Sequence, residues 1–326
     1  MMTMWRICRG LLASACAAAL AGCGGSGGSS GTNFIPSPPV TPTPTPTPIS
    51  TPIAPAHLGL VSPSPFAVLG IGDTHKTDSA GNSPAPVSPP APKDVQFSFD
   101  AATNSYQISV PGFQPGTLAS TSYNGTSGQP ATGSTSRVTS GSSSTLQSLF
   151  ITLPVPGTHF SPYTYTSLGE WYGQTGVSAT GDLLNASGSF AYGIPTQSGG
   201  VPVTGSATYI AMIDGATVDG EFVSGDATLQ FNFAAGTLAG HLDPTLCPFD
   251  CESLGRYDFT NTVFGVGSTS FSGTLSKAGL PGTGSFDGLF TGPTGEELMA
   301  RWSAPYQQPG SSQTGQMFGV LVGKRP

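Results

Sequence analysis

From Val95 onward, hydrophobic and polar residues alternate. Val95, Phe97 and Phe99 are separated by Gln96 and Ser98. Residues 100–104 read as a turn, and beyond it Tyr106, Ile108 and Val110 are separated by Gln107 and Ser109. A period of two sends successive side chains to opposite faces of an extended chain, so this segment predicts a hairpin with one apolar face. Leu149, Ile151 and Leu153 predict a further strand, and Leu229, Phe231 and Phe233 alternate with Gln230 and Asn232 before a turn at 234–236. Residues 66–71 are apolar and predict an early strand. Residues 317–322 are apolar at every position except Gly319, the pattern of a strand covered on both faces. A Ser-Phe unit recurs at Ser189-Phe190, Ser270-Phe271 and Ser285-Phe286, each with a glycine two or three residues on. Such aromatic and glycine pairs mark strongly bent sheets. Eight or nine strands at even spacing predict a closed antiparallel barrel. No window has helical periodicity with caps; residues 296–298 offer one short turn at most.

Composition narrows this further. Charged residues are 8% of the 326, while glycine (46) and proline (31) abound. A chain so poor in Glu, Lys and Arg cannot cover the wet face of long surface helices. A net charge of −7 repels phosphate and argues against nucleic-acid binding. At 37% hydrophobic, the chain is also no multi-span helical membrane protein.

The first residues set a destination. Arg6 and Arg9 precede a ten-residue apolar run, LLASACAAAL at 11–20, of signal-peptide kind and too short to span a bilayer. Leu20-Ala21-Gly22-Cys23 follows, a tetrapeptide that resembles the bacterial lipobox, in which the chain is cut before the cysteine and the cysteine is lipidated. Residues 1–22 are therefore expected to leave as a signal, with palmitate-type acylation on Cys23. Gly24, rather than Asp, after that cysteine points to the outer membrane. Losing Arg6 and Arg9 takes the formal charge from −7 to −9. Such a surface favours a basic partner and a salt-dependent on-rate. Residues 23–56 are rich in Gly, Ser, Pro and Thr, with Thr-Pro repeated from Thr41 to Pro48. Repeated proline favours extended polyproline II at about 3.1 Å per residue, a tether reaching on the order of 100 Å. A second Pro-rich patch spans 84–92, and the Ser/Thr/Gly-rich residues 114–147 are expected to be a mobile excursion. Cys8 and Cys16 depart with the signal, leaving Cys247 and Cys251 as an even pair around Pro248-Phe249-Asp250. A disulfide fits an oxidising compartment; a metal or redox pair is the rival, with no nearby His or third Cys to complete it.

Candidate chemistry is sparse. A Gly-x-Ser-x-Gly pattern at 24–28 lies in the tether, without the strand and helix a nucleophile elbow needs. Glu296 and Glu297 are adjacent, so on a strand they face opposite sides, and a turn or capping role outweighs acid–base work. His57, His75, His159 and His241 lack metal-ligand spacing. Tyr163, Tyr165, Trp171 and Tyr172 cluster in sequence, either as barrel packing or as an exposed platform.

Four segments share a family likeness. Phe190-Ala191-Tyr192-Gly193-Ile194-Pro195-Thr196, leading to Pro202-Val203-Thr204-Gly205-Ser206-Ala207-Thr208-Tyr209, resembles the aromatic-x-x-G-x-P-T and P-x-x-G-x-A-x-Y segments of transferrin-binding protein B and its lipoprotein relatives. Gly288-Leu289-Phe290-Thr291-Gly292-Pro293-Thr294-Gly295-Glu296-Glu297-Leu298 is similar to that family's F-x-G-P-x-x-x-E signature, although Met299, Ala300 and Arg301 replace its small residues. Gly315-Gln316-Met317-Phe318-Gly319 resembles its closing strand, and residues 165–171 its first barrel strand. The resemblance implies an all-β chain: a handle-like β region over 57–162 and an antiparallel eight-stranded up-and-down barrel over 163–326. It implies a non-catalytic surface lipoprotein, anchored in the membrane by its lipid and facing the cell exterior. Such a protein binds a nutrient solute or an iron or haem carrier, beside an outer-membrane transporter or translocon. No cofactor is expected, and the resemblance assigns the ligand to no particular residue. The alternative is a structural or adhesion-type surface barrel without a small ligand.

Overall fold

The computed structural model describes residues 66–78, 86–103, 105–111, 115–119, 131–134, 138–140, 143–145, 147–151, 163–177, 181–248 and 250–326. Cys23, the lipobox and the tether lie outside them. The described secondary structure is β throughout. The first eleven strands are β1 (Ala67–Thr77), β2 (Pro86–Lys93), β3 (Gln96–Asp100), β4 (Ser105–Ser109), β5 (Gly116–Ala119), β6 (Ala131–Ser134), β7 (Val138–Ser140), β8 (Ser143–Thr145), β9 (Gln147–Ile151), β10 (Thr166–Val177) and β11 (Leu183–Gly193). The remaining nine are β12 (Ser206–Thr217), β13 (Phe222–Asn232), β14 (Thr237–Leu246), β15 (Glu252–Ser253), β16 (Tyr257–Val263), β17 (Ser270–Ser276), β18 (Gly284–Thr291), β19 (Glu297–Gln307) and β20 (Thr314–Lys324). The region 114–147, expected as an excursion, thus contains short paired strands. Residues 297–298 open β19 rather than forming a helical turn.

Eight strands close the barrel. Each of β12, β13, β14, β16, β17, β18, β19 and β20 pairs antiparallel with the next, and β12 pairs with β20 from Ile210↔Lys324 to Thr217↔Met317. The two-residue β15 extends β14 at one end. Alternation fills the interior: Leu229 and Phe231 from β13, Leu298, Ala300, Trp302, Ala304 and Tyr306 from β19, and Met317 and Leu321 from β20 belong to one buried cluster. Phe231 lies at its centre, 4.8 Å from the Phe290 ring and 5.0 Å from Phe264. The outward residues of β13, including Ser224, Asp226, Thr228, Gln230 and Asn232, are polar. A membrane-spanning barrel needs the reverse, apolar outside.

The Ser-Phe units have a cross-strand explanation. Phe271 on β17 stands opposite Gly288 on β18, and Gly273 opposite Phe286. A Cβ on Gly288 would fall 2.5 Å from the Phe271 ring, and one on Gly273 2.7 Å from Phe286. Each ring therefore lies flat over the glycine facing it, which lets the two backbones curve.

Outside the barrel, β2-β1-β11-β10-β9-β6 form a six-stranded sheet, and β3-β4-β5 a three-stranded one. One face of the larger sheet packs Trp171, Phe190 and Tyr192 against Phe97, Tyr106 and Ile108 of the smaller. Its other face packs Ile71, Leu168 and Ala191 on Met299, Phe318, Val320 and Val322 of the barrel wall. This is why β20 is apolar on both sides. Edge strand β2 carries Pro86, Pro89, Pro90 and Pro92, which have no N–H to donate.

One expectation needs correction. The barrel was expected from residue 163, with 165–171 as its first strand. Strands β10 and β11 instead pair with each other, with β1 and with β9, and the barrel sheet begins at β12. The physical reason lies at Trp171. Its indole covers the backbones of Gly72 and Gly188, where an added Cβ would approach its ring to 2.7 and 2.2 Å. Those flat glycine surfaces exist on β1 and β11, so β10 packs there.

Candidate functional site

The segments that carry the family likeness converge where the six-stranded sheet meets one end of the barrel. Gly292 and Gly295 have positive φ (85° and 68°) and make the turn between β18 and β19. Within it, Thr294 donates its backbone N–H to Glu296 Oε2 at 2.9 Å and its hydroxyl to Oε1 at 2.7 Å. Burial raises the Glu296 pKa, but these bonds and the charge of Arg325 outweigh it, and the pKa is lowered overall. Glu297 is buried and points the other way. Its Oε1 accepts the Thr164 N–H at 2.6 Å and its Oε2 the Tyr165 N–H at 2.7 Å. Burial is the larger influence and raises its pKa, against the pull of the backbone N–H groups. Around this bond, the Tyr163 hydroxyl donates to Val322 O, Thr196 Oγ1 to Gly292 O, and Tyr209 Oη to Gly295 O. The glutamate pair is a fastener: one residue shapes the turn and the other ties the start of β10 to the barrel.

The same barrel end carries an exposed apolar patch. Val203, Val263 and Val266 are 56%, 66% and 55% exposed. Val203 and Val266 come together around residue 267: a Cβ on Gly267 would touch Val203 Cγ1 at 3.5 Å, and one on Gly236 would meet Val266 Cγ2 at 3.3 Å. Phe264 is buried, with Phe231, Phe233 and Phe290 around its ring. The segments 197–206, 233–237 and 261–270 that build this surface contain no Asp, Glu, Lys, Arg or His. The negative charge of the chain lies elsewhere, so electrostatic steering is not a property of this patch.

The opposite barrel end holds the Cys247–Cys251 disulfide. A groove of about 460 Å³ beside it is lined by Lys277, Gln307, Ser311 and neighbours, with Lys277 Nζ donating to Leu254 O at 2.5 Å. The aromatic cluster is dispersed. Trp171 is buried between the two smaller sheets, Tyr163 lies against the barrel wall, and Tyr172 is 51% exposed. His241 Nε2 lies 3.3 Å from Asp243 Oδ2. Among the described residues no three His, Cys, Asp or Glu side chains gather as a metal would require; His57 and His159 lie outside them.

The sequence reading missed polar groups buried on the barrel-facing side of the six-stranded sheet. Asp73 is 1% exposed and accepts the Ser187 hydroxyl at 2.8 Å. Burial raises its pKa, and burial likewise raises that of Glu170, whose carboxyl hydrogen-bonds Asp214 of β12. A signal was available: Asp73 continues the inward period of Leu69 and Ile71.

No protein-family model matches the sequence, and no curated protein sequence is similar to it. Solved structures do resemble the chain. Intact Ap-TbpB, with N and C lobes, aligns over 78% of this chain and 46% of its own at 15% identity and a TM-score of 0.39. Transferrin-binding protein B isotype 1 from serogroup B Neisseria meningitidis covers 78% and 44% at 13% identity and TM-score 0.39. A surface lipoprotein covers 79% and 98% at 13% identity and TM-score 0.35. The chain thus spans less than half the length of the first two.

Proposed function

We propose that the chain is an outer-membrane lipoprotein, anchored through Cys23 and facing the cell exterior, that binds a nutrient solute or an iron or haem carrier without catalysis. The observation that carries the binding reading is the filled barrel. Its interior is packed by aromatic and aliphatic side chains, so a partner meets the outer surface. The uncharged valine patch at the barrel end is the contiguous apolar surface on offer there. The lipobox and Pro-rich tether support presentation at a distance from the membrane. A transporter or translocon of the outer membrane is the fitting neighbour.

Two measurements test this. Protease added to intact cells should degrade the protein; survival would place it in the periplasm. The purified mature chain is then titrated with haem and with iron-loaded carrier proteins, alongside a Val203→Asp/Val266→Asp variant. Saturable binding that the variant loses, with its circular dichroism intact, supports the reading. Absence of binding to every ligand favours the structural or adhesion alternative.

A further inference from the structure

The corner of the six-stranded sheet around Asp73 has the makings of a second, separate site. Register places Asp73 opposite Ser187, and Ser187 opposite Tyr172, with His75 opposite Asn185 one step along the same face. The Ser187 hydroxyl fills one position on Asp73 Oδ1. Among the described residues, the buried Asp73 Oδ2 has no hydrogen-bond partner, and neither has the buried His75 Nδ1, 4.0 Å from Oδ1. The His75 and Tyr172 rings lie nearly parallel, with centroids 6.4 Å apart and planes 29° from each other. Asn185 is turned aside, donating to Thr77 Oγ1.

We propose that this corner is a subsite for one organic cation, an alkylammonium or a guanidinium group. A carboxylate oxygen shut away from water and left without a donor is costly, so the missing component is a donor, and a charged one suits it best. With the ring proton on Nε2, His75 Nδ1 is a second acceptor; it lies 4.0 Å from Oδ1 of the same carboxylate, so one ammonium, whose bonds are each about 2.9 Å, can address both groups. Tyr172 supplies an exposed aromatic face at the rim, where a cation gains further attraction. A bare divalent ion does not fit, since one carboxylate and one imidazole are too few ligands. Access requires the His75 ring, 15% exposed, to swing outward about χ1. The cation is either a free amine or a Lys or Arg side chain of a partner protein.

The test uses the full chain labelled with 13C at histidine Cε1, the His75 signal being assigned from a His75→Gln spectrum. n-Butylammonium, n-butylguanidinium, neutral butanol and the peptide acetyl-Gly-Lys-Gly-amide are titrated in turn at constant ionic strength. Saturable shifts of the His75 signal by the cations and not by butanol are expected, at midpoints of about 1–10 mM. Asp73→Asn should weaken them at least about tenfold, and the surface change Tyr172→Leu about threefold. A peptide that saturates below butylammonium identifies a partner side chain as the source; the reverse order identifies a free amine. Shifts that stay linear to about 100 mM, an equal response to butanol, or an unchanged midpoint in either variant overturns the proposal. Tyr172→Leu decides the matter alone should Asp73→Asn fail to fold.

Discussion

Replacing Glu297 with alanine should loosen the six-stranded sheet from the barrel. The carboxylate accepts two backbone N–H bonds at 2.6 and 2.7 Å, from Thr164 and Tyr165, more than 130 residues away in sequence. Hydrogen bonds to charged groups contribute about 1.5–3 kcal/mol each, and the truncated site leaves both donors short of a partner. Against this stands relief from holding a buried charge, which the raised pKa records. The net loss should be about 2–4 kcal/mol, a large share of a stability that is typically about 5–15 kcal/mol. Glu297→Gln keeps one acceptor and no charge, so its loss should be smaller, about 1–2 kcal/mol. Urea unfolding gives the size of the effect, and amide exchange gives its place. The Thr164 and Tyr165 amides should exchange faster in the alanine variant, followed by those of β10 and β11, while β13 and β14 stay protected. A midpoint shift worth less than about 0.5 kcal/mol, with both amides still protected, would refute the fastening role.

Other consequences are open to measurement. The folded-state pKa values of Asp73 and Glu170 are raised, so the folded state holds protons that the unfolded chain releases. Their contribution is fully present below the ordinary values of 3.8 and 4.5 and is lost as pH rises above them toward the folded values. Asp73→Asn with Glu170→Gln should flatten the fall in stability that denaturant titrations read as pH rises above those ordinary values. Gly288→Ala sets a methyl 2.5 Å from the Phe271 ring and 2.6 Å from Met299 O, and should cost about 1–3 kcal/mol in thermal or urea unfolding. Non-reducing mass spectrometry of mature protein should find the Cys247–Cys251 peptide pair linked; opening so small a loop with Cys251→Ser should cost about 2 kcal/mol. Cys23→Ser should abolish palmitate labelling, and an unlabelled wild type would sink the anchor.

Much of the barrel was legible because its side chains answer to local rules. Leu229, Phe231 and Phe233 alternate cleanly because one face of β13 meets the core and the other meets water. The apolar 317–322 run announced a strand with two dry faces. What pairs with what was less legible. Trp171 packs over Gly72 and Gly188, on strands β1 and β11 of the outer sheet, and nothing in the local sequence of β10 names them. Short strands in 116–145 escaped notice because Ser, Thr and Gly have no hydrophobic period. Asp73 and Glu170 escaped because a polar residue at an inward position looks, in sequence, like the end of a strand. The turn or capping role of the adjacent glutamates was legible, but the partners of Glu297 were not, since they lie more than 130 residues upstream.

The prolines of β2 bear on how copies of this protein behave when crowded. A sheet grows by recruiting any extended chain that can read its bare edge, and that reading is done through N–H groups. Pro86, Pro89, Pro90 and Pro92 leave four of the eight residues of β2 without an N–H, so a neighbouring chain finds gaps where a ladder should continue. The barrel has no edge to offer once β12 and β20 are joined. Packed side by side at high density, such molecules have one flank of the outer sheet that cannot seed a shared, fibre-like assembly.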